Sequence, residues 1–141
     1  MDEIKRSVAK VLIDELKLTP DDDFVFMHDT PSVKIAVPVM ELVKSINCKK
    51  YIRYCLDSYI EINDGKTRLK LPPEIERSLE TATASFFLTT TIRDGELRYF
   101  REPMMKLIRS RPDLRHAHAP ETSETAFLQG TVVVDYTKTK I

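Results

Sequence analysis

Ile4, Val8, Val11, Leu12 and Leu16 recur at i, i+4, i+7, i+8 and i+12. That is the apolar stripe of an amphipathic helix running from about Asp2 to Leu18. Thr19-Pro20 ends the pattern, and Asp21-Asp22-Asp23 follows as an acidic loop, or as the cap of a short turn bearing Phe24 and Phe26. Val33, Ile35 and Val37 alternate with polar or small residues and predict a short strand. Pro38 stands where a first helical turn tolerates proline, opening a short helix to about Ser45. Asn47 accepts the left-handed backbone that a sharp turn requires. Ile52, Cys55, Leu56 and Tyr59 then share one helical face, which predicts a second helix from Lys49 to about Ser58. Ile52, Tyr54, Leu56, Ile60 and Ile62 also fit a period of two, so a strand stays open as the alternative there. Ile60 to Ile62 and Arg68 to Leu71 flank Asp64-Gly65, a strong hairpin signal.

The second half is patterned less sharply. Pro72-Pro73 primes a helix with Ile75, Leu79 and Ala82 on one face. Ser85 to Ile92 reads as a strand, turned by Asp94-Gly95 into a second strand over Leu97 to Phe100. Pro103 to Ser110 reads as a short helix carrying Met104, Leu107 and Ile108, and Arg111 to Thr125 as a long connection. Ala126 to Tyr136, through Val132-Val133-Val134, reads as the strongest strand in the chain.

Strand, helix, turn, helix and hairpin is the element order of a winged helix. The predicted class is α+β: an N-terminal winged helix-turn-helix over residues 1–72, followed by a small mixed α/β region with antiparallel strands over 73–141. Val37-Pro38-Val39-Met40-Glu41-Leu42, Ile52-Arg53-Tyr54-Cys55-Leu56-Asp57-Ser58 and the 60–71 hairpin together resemble the La motif of La and La-related RNA-binding proteins. Gly130 to Tyr136 resembles the third strand of the RNA-recognition motif that follows it in those proteins. The resemblance implies RNA binding by a winged-helix scaffold. It departs at the first helix, where Val8, Val11 and Leu12 stand at the family's RNA-gripping aromatic positions.

The chain has 141 residues, 42% hydrophobic and 31% charged, an ordinary globular composition. No apolar run approaches the ~18 residues that span a bilayer, so no membrane partner is expected. No secretory signal opens the chain. Cys48 and Cys55 read as free thiols of a reducing, cytoplasmic compartment. The formal net charge of zero is a cancellation: residues 44–70 and 98–115 each carry an excess of four cations, balanced by acidic segments around them.

Local positive fields suit nucleic acid. Lys49, Lys50, Arg53, Tyr54, Lys66, Arg68 and Lys70 are therefore the candidate nucleic-acid contacts, on the second helix and the wing. Arg98, Arg101, Lys106, Arg109, Arg111 and Arg115 form a secondary basic patch. His116 and His118 flank Ala117 and would share a metal if they lay on one strand face. Between Pro112 and Pro120 they read instead as incidental loop histidines, and no metal is assigned. No glycine-rich phosphate loop and no recognisable nucleophile motif occurs, so neither catalytic residues nor a cofactor is assigned. The expected function is nucleic-acid binding, DNA or RNA; the alternative is a non-enzymatic protein-interaction or assembly module. The valine-rich strand over 126–136 would then serve as a pairing edge for a homo-oligomer or a partner.

Overall fold

The structure, a computed structural model, describes residues 2–63 and 65–129. Its centre is a four-stranded, all-parallel sheet. The strands are β1 (Asp23–His28), β2 (Lys50–Cys55), β5 (Ala84–Leu88) and β6 (Arg115–Ala119), in the order β2-β1-β5-β6. The remaining strands, β3 (Ile60–Asn63) and β4 (Lys66–Leu69), form a separate antiparallel hairpin between β2 and β5.

Helices cover both faces. On one side lie α1 (Glu3–Ala9), α2 (Val33–Ile46) and the short α5 (Glu124–Leu128). Val8, Val11, Leu12, Leu16, Ile35, Val39, Val43 and Phe127 pack there on Phe24, Phe26, Phe86 and Leu88 of the strands. On the other side, α3 (Pro73–Thr81) and α4 (Glu102–Arg109) bring Ile75, Leu79, Met104 and Ile108 onto Val25, Met27 and Phe87. Odd and even strand residues thus feed two cores, each from one face of the pleat. Every strand crossover carries a helix, as parallel pairing demands. Strands of residues 1–72 and of residues 73–141 share this one sheet.

The apolar stripe of the first helix is as expected, with Val8, Val11, Leu12 and Leu16 buried. Past Ala9 the helix widens into a π-helical stretch over Lys10–Glu15, where the Leu16 amide donates to the Val11 carbonyl. The hairpin over 60–71 and the helix after Pro72 also stand where the pattern put them. Asn47 ends α2 with φ 61° and ψ 55°, the left-handed cap its side chain tolerates.

Several expectations are overturned. The winged helix does not form, because Lys50–Cys55 is a strand and Leu56–Tyr59 a 3₁₀ turn. The period of two prevails: parallel pairing with β1 organises the segment, Ile52 stays 36% exposed at the sheet edge, and Ile62 is 79% exposed. Val33, Ile35 and Val37 belong to α2, which buries Ile35, Ala36, Val39 and Val43 on a helical spacing and runs through Pro38. Leu97–Arg101 is a π-helical stretch leading into α4 and not a returning strand. β1 and β6 emerge from a supposed acidic loop and a supposed connection. Both are buried on two faces, so they lack the alternation that marks a half-exposed strand. Ala126 to Leu128 is helical; Gly130 to Tyr136 lies outside the described residues.

Candidate functional site

The two predicted basic sets do not survive as sets. Lys49 and Lys50 lie at the amino end of the edge strand β2 and are exposed. The Arg53 guanidinium donates to His28 Nε2 over 2.9 Å. A guanidinium has no lone pair to accept with, so His28 is the Nδ1–H tautomer, and Nδ1 donates to the Asp29 carbonyl at 2.9 Å. Burial, with Arg53 beside it, holds the His28 ring below its ordinary pKa. Tyr54 is not an exposed stacking residue. It is buried, its hydroxyl 2.6 Å from Ser78 Oγ. Lys70 faces Glu61 across the hairpin at 3.9 Å.

Three of the six cations in the secondary patch are structural. Arg111 Nη1 donates to the Leu79 and Ala82 carbonyls at 2.7 and 2.6 Å, closing the end of α3. Arg115 ties the Leu16 carbonyl (2.7 Å) to Asp22 (2.6 Å). Arg101 is buried against Glu96, at 2.5 Å, and reaches Glu121 at 3.6 Å. Pattern reading cannot see these roles, because each partner lies on another element.

What remains converges. The β4 strand is joined to the segment that follows β5 by the Leu69 amide donating to the Asp94 carbonyl (3.0 Å) and the Leu71 amide to the Tyr99 carbonyl (2.9 Å). Gly95, at φ +74°, makes this approach possible, since a Cβ there would lie 3.0 Å from both the Arg68 and the Tyr99 side chains. The consequence is that Arg68 from the hairpin and Arg98 from the helix both place their guanidinium carbons over the Tyr99 ring, 4.7 and 5.6 Å from its centre. Beside them runs an open groove of about 640 Å³ lined by Arg98, Tyr99, Glu102, Pro103, Lys106 and Arg109. Arg98, Lys106 and Arg109 are exposed and, among the described residues, make no ion pair. Glu102 is the one acid among the described residues of the lining. The hairpin cation and the α4 cations, drawn from two separate basic segments, thus form one positive face.

A second cluster was missed entirely in the sequence. The order in which successive strands are added reverses between β1 and β5, and α/β folds hold ligands outside the strand ends at such a switch point. Here Asp29 fills it. Its Oδ2 accepts from the Thr90 amide (2.9 Å), the Thr91 amide (3.3 Å) and Arg93 Nη2 (2.8 Å), while Oδ1 accepts from the Ser32 amide at 3.1 Å. Arg93 also donates to Asp57 at 3.0 Å and stands 3.5 Å from Glu96. Burial alone would raise the Asp57 carboxyl, but hydrogen bonds from Thr30 and Arg93 outweigh it and hold it below the usual range. Asp29 and Asp57 are far from Arg93 in sequence, and only the run Thr89-Thr90-Thr91 after an apolar strand hints at the site.

His116 and His118 lie on β6, not in a loop, and face the same side as their spacing of two requires. Their rings bond one another, His116 Nε2 to His118 Nδ1 at 3.1 Å, and Ser85 Oγ sits 2.7 Å from His116 Nδ1. Burial drives His116 well below its ordinary pKa and His118 to about 4, with Arg101 and Arg109 adding to the latter, so both are neutral. No group of three or more His, Cys, Asp or Glu among the described residues is placed to hold a metal. No helix among them is long and apolar enough to cross a membrane.

No family model and no curated protein matches the sequence. Among solved structures the fold is similar to wild-type AmpT from Thermus thermophilus, with a TM-score of 0.52 at 7% identity. The match covers 91% of this chain and 41% of that one, so the chain spans less than half the length of AmpT. At that identity the likeness is one of fold alone.

Proposed function

We propose that the protein binds nucleic acid through the positive face shared by the β3–β4 hairpin and α4. The observation that carries the reading is the convergence of Arg68 and Arg98 on Tyr99 beside a groove whose other cations, Lys106 and Arg109, make no ion pair among the described residues. Such cations keep their full field for a ligand, whereas Arg93, Arg101, Arg111 and Arg115 are already engaged inside the protein. The ring holds two guanidiniums in place, which lowers the entropy lost when they meet phosphates. This reading moves the contacts from the edge-strand cations Lys49, Lys50 and Arg53 to the α4 face.

The test is binding of labelled DNA and RNA as a function of salt. Each cation that meets a phosphate contributes about one to the log–log salt slope. The variant Arg98→Gln/Lys106→Gln/Arg109→Gln should therefore flatten that slope by up to about three and bind more weakly. An unaltered affinity and slope, with the variant still folded by circular dichroism, would overturn the reading.

A further inference from the structure

We infer that the ligand of this face is a nucleic-acid duplex, gripped by its phosphates without reading its sequence. The inference rests on the nucleic-acid reading above. Tyr99 is the one aromatic among the described residues of the groove lining, and its ring is already engaged by Arg68 and Arg98. A base that stacked on it would have to compete with those guanidiniums, and stacking is what gives single-strand binders much of their affinity. Charge is what the face offers in its place. Arg98, Lys106 and Arg109 lie along one side of the helical segment that runs from Leu97 to Arg109. At 1.5 Å per residue the row from Arg98 to Arg109 is roughly 16 Å long. Over that length a duplex presents about ten phosphates and a single strand about half as many. Contacts of this kind position a nucleic acid and carry no base information. Glu102 stands within the row and repels phosphate, which limits the affinity without changing the preference.

The experiment is fluorescence anisotropy on the full chain. It uses two labelled DNA duplexes of about 16 base pairs with unrelated sequences, and the separated strands of each, over a range of salt. The expected result is equal affinity for the two duplexes within about twofold, each about tenfold tighter than its single strands. A duplex slope no steeper than about −4, set by four cations, should accompany it. Tyr99→Ala should weaken duplex and single strand by the same factor, because what is lost is the placement of two guanidiniums. Single strands binding as tightly as duplexes, a tenfold difference between the duplexes, or a Tyr99→Ala loss confined to single strands would overturn the inference while nucleic-acid binding stood. Failure of every nucleic acid to bind would overturn the proposed function, and this inference with it.

Discussion

Arg93 Nη2 lies 2.8 Å from Asp29 Oδ2, and this ion pair joins the loop after β5 to the end of β1 across the point where the strand order of the sheet reverses. The Asp29 side chain is fully buried and that of Arg93 is 10% exposed. Asp57 and Glu96 share the same guanidinium, so three acids drawn from three parts of the chain are held by one cation.

Removing that cation leaves a buried carboxylate uncompensated. Arg93→Ala should lower the unfolding free energy by about 3–5 kcal/mol, read from urea denaturation at neutral pH. Arg93→Met combined with Asp29→Asn should lose less than the sum of the two single changes, since neither charge is then stranded. Strict additivity would show that the pair is not coupled.

Stability should fall on mild acidification. His118 has a folded pKa of about 4 against an ordinary value of 6.5. Above 6.5 the ring is neutral in both states and its contribution is complete. Between about 6.5 and 4 the unfolded chain takes up a proton that the folded chain refuses, costing about 3 kcal/mol in all. His116, also depressed, acts in the same direction. Asp22 and Asp57 have lowered pKa values and lose their contribution only below the ordinary carboxylate range, so their window is separate. The denaturation midpoint should drop from pH 7 to pH 4.5, and His118→Gln should drop less. A midpoint that stays flat over that range would contradict the burial argument.

Asn47 pays little for its left-handed backbone, φ 61°. Asn47→Ala should cost about 1 kcal/mol, while Asn47→Gly should be neutral or slightly stabilising. Thermal melts of the two variants decide it, and equal melting temperatures would be the contrary result.

Glu102 offers a gain-of-function check on the basic face, being an acid within the groove lining. Glu102→Gln should tighten nucleic-acid binding several-fold, with the effect shrinking as salt rises. Lys49→Gln/Lys50→Gln, at the start of the edge strand and outside that lining, should leave the salt slope unchanged. The reverse pattern would return the contacts to β2.

Local physics made part of this legible from residues alone. The amphipathic first helix, the Gly65 hairpin, the helix primed by Pro72-Pro73 and the left-handed stop at Asn47 each depend on neighbours within a few residues, so their signals are complete in the sequence. The basic character of residues 66–70 and 98–109 was legible as well. The central sheet was not. Phe24 to Met27 and His116 to Ala119 are strands because they are buried between two helical layers, and a strand buried on both faces has no polar alternation to reveal it. The segment from Lys50 to Cys55 fitted both periods, and only parallel pairing with β1 decided between them. The fate of each cation was likewise tertiary. Arg98 and Arg101 are three residues apart on one helical stretch, yet Arg101 is spent on buried Glu96 while Arg98 faces the groove. Charge is written in the sequence, but whether a charge is neutralised or left free depends on partners that only folding brings within reach.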